Sequence, residues 1–218
     1  MFLAGLTGTG KTLLLQTLQQ NGAQVLDLEA LARHKGSLLG LWHGDTQPSQ
    51  KMWESQLRHS LASFDPARPV WVESESSRVG NLAIPPGLFH KMCKASRVEV
   101  CLPLDQRVKH ILEDYPHWTE DVPALKSALL PLKRTRGQKA VEGWFRLADE
   151  GRWDKFVEQL LVQHYDLTYN VSQKKNEWST RKRTVHLPDL SEKSRTDFVE
   201  NVMDSCEIGS VTEANSSV

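Results

Sequence analysis

Apolar and polar positions follow two rhythms along the first 170 residues. Short apolar runs at Met1–Ala4, Gln24–Leu28, Pro69–Glu73 and Arg97–Leu102 have the length of buried strands. Between them a helical period appears. It covers Lys11–Gln20, with Leu13, Leu14, Leu15 and Leu18, and Ser49–Phe64, with Met52, Trp53, Leu57, Leu61 and Phe64 on one face. Asn21-Gly22 ends the first of these helices as a left-handed cap does. After Pro103 the stretches 104–114, 124–132, 138–149 and 152–165 all read as helical. Strands alternating with helices predict an α/β fold: a parallel sheet with flanking helices, continued by a helical C-terminal portion.

From Val171 onward apolar residues become sparse, and Ser, Lys, Asn and Glu take over. The chain therefore divides into one domain over 1–170 and a largely disordered tail over 171–218. That tail carries a basic cluster (Lys174, Lys175, Arg181, Lys182, Arg183), a short helix near Arg195–Met203 and a wholly acidic end.

Composition narrows the classes. The 218 residues are 39% hydrophobic and 25% charged, the profile of a globular chain. Lys and Arg (27) balance Asp and Glu (27), so no overall positive field draws in nucleic acid. No apolar run approaches the roughly 18 residues of a membrane span, and the first residues lack the basic and apolar regions of a secretory signal. Cys93, Cys101 and Cys206 have no metal or disulfide spacing, which places the protein in a reducing, cytoplasmic compartment. The eight histidines, His43 among them, show no metal spacing either.

The strongest motif is Gly5-Leu6-Thr7-Gly8-Thr9-Gly10-Lys11-Thr12, which fits GxxxxGK[ST] at every fixed position, after a strand and before a helix. Glycines let successive N–H groups converge on an anion at a helix N-terminus. Lys11 then reaches the outer phosphates and Thr12 offers its hydroxyl to Mg²⁺. This predicts a P-loop NTPase-like fold. A carboxylate partner for the metal is expected at the end of the third strand. Glu73 and Glu75 stand two apart there and share a face, with Arg78 beyond them to clamp an anion. Asp27 and Glu29, after the second strand, either line the site or cap the next helix. Arg33, His34 and Lys35 precede Gly36-Ser37 in a donor-rich loop suited to phosphate contacts, or form a solvated patch. Lys133, Arg134, Arg136 and Lys139 make a second basic loop, either tracking an RNA backbone or simply solvated.

Several segments together resemble one family. GLTGTGKTLLLQTLQQNGAQVLDLEALARHKGSLLG (Gly5–Gly40), QPSQKMWESQL (Gln47–Leu57), DPARPVWVESESSRVGNLAIP (Asp65–Pro85), RVKHILEDY (Arg107–Tyr115) and LLVQHYDLTY (Leu160–Tyr169) are similar to the nucleotide-binding-fold domain of the tRNA 2-selenouridine synthases. The likeness covers about residues 3–170. It implies modification of the wobble uridine of certain tRNAs: S-geranylation of 2-thiouridine with geranyl diphosphate, then conversion to 2-selenouridine with selenophosphate. It further implies that Gly8, Gly10, Lys11 and Thr12 hold the diphosphate, that Glu73, Glu75 and Arg78 belong to the site, and that Arg33, His34 and Lys35 contact tRNA or diphosphate. The partner is the tRNA anticodon arm.

That family usually carries a rhodanese-like domain with a cysteine for the selenium step. Only four residues precede Gly5 here, which leaves three expectations open: a rhodanese part carried by a separate partner chain, a fragment of a longer protein, or a degenerate relative. A nucleotide kinase or regulatory NTPase sharing the loop, and a non-catalytic tRNA-binding relative, are the alternatives.

Overall fold

The strand that leads into the phosphate loop, β1 (Phe2–Ala4), lies at the centre of the main sheet in a computed structural model of the chain. The structure describes residues 1–36, 39, 46–73, 76–175 and 178–212, with backbone only for Lys175 and 204–212. After β1 come α1 (Lys11–Gln20), β2 (Gln24–Leu26), α2 (Leu28–Ala32), α3 (Gln50–Ala62) and β3 (Val70–Glu73). A small antiparallel hairpin, β4 (Arg78–Val79) and β5 (Leu82–Ala83), precedes α4 (Pro86–Lys94) and β6 (Arg97–Cys101). The helical portion is α5 (Leu104–Asp114), α6 (Pro116–Glu120), α7 (Val122–Leu129), α8 (Lys133–Arg136), α9 (Gln138–Asp149), α10 (Trp153–Leu160) and α11 (Asp166–Lys175). A π-helical turn, Leu161–Tyr165, joins the last two. The chain then returns to the sheet as β7 (Lys182–His186) and closes with α12 (Glu192–Thr212).

The five strands run in the order β2-β3-β1-β6-β7, and every pairing is parallel. Successive β1 side chains point to opposite faces, as a strand requires. Leu3 therefore packs with Leu14, Leu15 and Leu18 of α1 on one side, while Phe2 and Ala4 pack with Trp53 and Leu57 of α3 on the other. The next strand in sequence after β1 lies to one side of it and β6 lies to the other. The chain thus reverses direction of travel at β1, and the crevice there is where open α/β sheets bind ligands. A third cluster, around Trp144, Phe156 and Leu160, belongs to the helical portion. This is the P-loop NTPase-like α/β architecture with its helical extension.

Three expectations are corrected. The tail read as disordered from Val171 is built into the fold as far as its side chains are described: α11 crosses the 170/171 boundary, and β7 pairs with β6 from Arg97↔Lys182 to Cys101↔His186. Low apolar content misled because an edge strand is held by main-chain bonds and charges. Lys182 pairs with Glu99, and Arg183 bonds the Asn201 carbonyl and side chain (3.1 and 2.6 Å). Phe198, Val199 and Val202 then bury α12 against α1. Second, the apolar face of α3 is narrower than its period suggested: Met52 (55%) and Leu61 (42%) are exposed. Third, 133–139 is not a loop, since Lys133–Arg136 is a helical turn and α9 starts at Gln138.

Candidate functional site

The phosphate loop leaves β1 and wraps the start of α1. Gly10 caps that helix in the left-handed region (φ 72°) with no side-chain cap, so the first-turn N–H groups are left to a ligand. Gly8 is also left-handed (φ 84°), and a Cβ there would lie 3.1 Å from the Arg107 carbonyl. Thr9, fully buried, ties the loop to itself by donating its hydroxyl to the Leu6 carbonyl (2.8 Å). Lys11 folds back over the loop and donates to the Gly5 (2.9 Å) and Leu6 (3.4 Å) carbonyls, which parks its ammonium at the mouth of the cradle.

Across from the loop, Glu73 ends β3 with only 2% of its surface exposed. It accepts the Thr12 hydroxyl at 3.1 Å. The pair supplies two oxygen donors of the kind a hard cation takes, although no cluster of three or more His, Cys, Asp or Glu side chains with metal geometry exists among the described residues. Arg78, exposed on β4, lines the same cavity. Glu75 lies outside the described residues.

The other predicted positions separate. Asp27 is the N-cap of α2, accepting from the Ala30 N–H at 2.8 Å, whereas Glu29 lines the cavity beside Gly36. Arg33 is the left-handed C-cap of α2 and points to solvent. His34 is buried under the β4–β5 hairpin, and its Nδ1 accepts the Gly36 N–H (3.0 Å), which keeps the ring neutral; burial lowers its pKa. Of the basic trio only Lys35 lines the cavity. It bonds Asp114 at 2.7 Å and lies 4.4 Å from the centre of the Tyr115 ring.

The second basic group sits elsewhere. Arg136 is a structural staple, donating to His164 Nδ1 (3.1 Å), the His164 carbonyl (3.0 Å) and the Thr168 hydroxyl (2.7 Å). Burial, with the positive charge of Arg136 beside the ring, holds the His164 pKa down, to about 4. Lys133 pairs with Glu142 (3.7 Å), and Arg134 is exposed. None of the three lines the phosphate cavity.

The residues that sequence reasoning missed lie mainly on α5. Arg107, His110, Ile111 and Asp114 are spaced i, i+3, i+4 and i+7, one face of a helix, and that face looks onto the loop. The Arg107 Nε donates to the Thr7 carbonyl (2.8 Å), and its guanidinium grips Asp166 of α11 with two bonds. His110, Ile111, Asp114 and Tyr115 line the cavity. The spacing in RVKHILEDY was the available signal, but only packing shows which face of the helix is used.

A second cavity opens beside the first and shares Thr7, Ile111 and Tyr115 with it. Its remaining walls are almost wholly apolar, with Trp118, Leu125, Trp153, Phe156, Leu160 and Leu161 prominent. The site is thus a polar cavity at the glycine-rich loop, where Lys11, Lys35 and Arg78 stand among Glu29, Glu73 and Asp114, adjoined by an almost wholly apolar pocket.

Fold and site together define a phosphate-loop α/β protein with an apolar annex on its helical side. Residues 1–127 match the family described as tRNA 2-selenouridine synthase AAA domain, and the chain belongs to that family. It is 36% identical over 140 residues to the tRNA 2-selenouridine synthase of Nitrosomonas europaea, covering 62% of this chain and 36% of that protein. It is 31% identical over 195 residues to that of Aeromonas salmonicida (77% and 51%) and 29% over 196 residues to that of Hydrogenovibrio crunogenus (80% and 53%). The chain spans about a third to a half of the length of these curated relatives.

Proposed function

We propose that the chain modifies the wobble uridine of tRNA, transferring a geranyl group from geranyl diphosphate to the sulfur of 2-thiouridine. With a separate rhodanese-domain protein as partner, conversion to 2-selenouridine with selenophosphate follows, in the cytoplasm. The observation that carries the prenyl donor is the adjacency of the phosphate cradle and the apolar pocket, which share Thr7, Ile111 and Tyr115 as walls. A nucleotide continues from its phosphates into a polar sugar and base. A prenyl diphosphate continues into hydrocarbon, which is what Trp118, Trp153 and Phe156 offer.

In this reading the backbone nest of Gly8–Thr12 and the Lys11 ammonium receive the charge that grows on the departing diphosphate, assisted by Lys35 and Arg78. Mg²⁺ would be held by Thr12 and Glu73, and when bound it supplies further charge neutralisation of the diphosphate. The apolar walls fix the prenyl carbon chain, so that the reacting carbon lies at the junction of the two cavities. In the same reading Arg33 and Arg134, both exposed, contact the backbone of the tRNA anticodon arm.

The test is incubation of purified protein with 2-thiouridine-containing tRNA and geranyl diphosphate, with mass analysis of the released nucleosides. A mass gain of one geranyl group that is lost in Lys11→Ala is expected. Unmodified nucleoside under all conditions, with Mg²⁺-dependent ATP turnover that Lys11→Ala abolishes, would point instead to a nucleotide kinase or regulatory NTPase. RNA binding that survives Lys11→Ala, with no product, would mark a non-catalytic relative.

A further inference from the structure

Alkylation of a thiocarbonyl sulfur in 2-thiouridine liberates a proton, and the cavity must provide a place for it. His110 lines both the phosphate cavity and a polar groove on its far side, which runs past Leu13 to Pro188–Ser191. It is the one histidine on the cavity wall among the described residues. Its neighbour on the helix, Ile111, forms part of the boundary between the phosphate cradle and the apolar pocket, where the reacting carbon of a prenyl diphosphate would sit.

The carboxylates around it are committed elsewhere. Asp114 is bonded to Lys35 at 2.7 Å, and Glu73 is buried and receives the Thr12 hydroxyl. The His110 ring, by contrast, makes no hydrogen bond among the described residues, and it is half-buried with a face to the cavity.

We propose that His110 is the general base of the transfer, taking the N3 proton of 2-thiouridine as the sulfur attacks. The inference rests on the prenyl-transfer reading above. In the step, the sulfur forms a bond to the first prenyl carbon while the bond from that carbon to the diphosphate oxygen breaks, its electron pair leaving with the diphosphate. The C2–S double bond becomes single, and the N3–H pair becomes the N3–C2 double bond. The proton moves to the free imidazole nitrogen. The products are S-geranyl-2-thiouridine, diphosphate and an imidazolium, which returns its proton to solvent through the groove.

The surroundings favour a neutral ring at the outset. Burial lowers the His110 pKa; Asp114 and Glu113 on its own helix pull it up, and Lys35 and Lys11 across the cavity push it down. Asp189 and Lys109 border the groove side. The fall outweighs the rise, so the ring is available as a base throughout the neutral range.

The experiment is the pH dependence of single-turnover geranylation by the full chain, wild type against His110→Ala and His110→Gln, with affinity for geranyl diphosphate measured alongside. The wild-type rate is expected to hold level from pH 7 upward and to fall only below the ordinary histidine range. Both variants are expected to lose on the order of 100-fold in the single-turnover rate at pH 7, with little change in affinity for the donor, the usual scale of general-base catalysis. Their rates are expected to climb with pH and approach wild type once the thiouridine ionises by itself. A His110→Gln variant that keeps the wild-type rate would show a hydrogen-bond donor instead of a base and overturn the proposal, as would an unchanged pH profile in His110→Ala. Absence of any wild-type product would fall on the prenyl-transfer reading, not on His110.

Discussion

Arg107 and Asp166 are joined by two hydrogen bonds, 3.1 and 2.6 Å long, one to each carboxylate oxygen, and the same guanidinium donates from Nε to the Thr7 carbonyl at 2.8 Å. One buried side chain therefore clamps the phosphate loop to the first residue of α11. The π-helical turn before Asp166 contributes Leu161 and Tyr165 to the apolar pocket, so both halves of the site are anchored to one ion pair. Removing one partner leaves the other uncompensated. Asp166→Asn is expected to cost about 3 kcal/mol of stability, read by urea denaturation, and to weaken pyrophosphate binding, read by calorimetry. A variant with unchanged stability and affinity would show that the clamp is dispensable.

Lys11 donates to two loop carbonyls that a phosphate-bound ammonium would release. Lys11→Ala should lower pyrophosphate affinity roughly 10- to 100-fold, the scale of a charge-assisted bond, while changing the unfolding midpoint little. Isothermal titration separates the two effects.

Trp118 lines only the apolar pocket and is half-buried. Trp118→Ala is expected to reduce geranyl diphosphate affinity by about tenfold or more, as loss of a large apolar contact does, and to leave pyrophosphate affinity unchanged. Equal losses for both ligands would place the hydrocarbon elsewhere.

His164 accepts from Arg136 at Nδ1, so protonation would eject the guanidinium. Its folded pKa, about 4, lies below the unfolded 6.5. Below 6.5 the unfolded chain takes up a proton that the folded one refuses, so this group's contribution is intact above that value and is lost as the pH falls from 6.5 towards 4. Denaturation of wild type and His164→Gln across pH 4–8 should show a shallower acid slope in the variant, and parallel slopes would refute the coupling.

Removing residues from 176 onward takes away β7 and α12, and with them Phe198, Val199 and Val202 from the cluster around Leu14 and Leu18. Each such side chain is worth about 1.5–3 kcal/mol when buried. Against a total stability of about 5–15 kcal/mol, the shortened chain should be insoluble or unfolded by circular dichroism. A folded, cooperative truncation would return this segment to the status of a tail.

The order β1, α1, β2, α3, β3 and β6 was legible because each obeys a local period, whereas the short β4 and β5 and the edge strand β7 were not; the loop was legible because Gly readily adopts the left-handed backbone at Gly8 and Gly10. Arg107, His110 and Asp114 were in view as a helical spacing, yet nothing local says which way a helix turns when it packs. Asp27 was ambiguous between ligand and cap, and the cap prevailed because its carboxylate finds the Ala30 N–H within its own turn. Arg136 looked like a free cation until the fold brought His164 and Thr168 to it.

The sequence by itself determined an α/β protein with an anion nest at the end of its first strand and a family likeness over about residues 3–170, since periodicity, glycine placement and motif order are properties of neighbours in the chain. The tertiary structure alone decided that Glu73 meets Thr12, that α5 faces the loop with Arg107 and His110, that an apolar pocket adjoins the cradle, and that Lys182–His186 completes the sheet. Each of these joins residues far apart in the chain. Such contacts are fixed by the burial of whole faces against one another, which no single segment encodes.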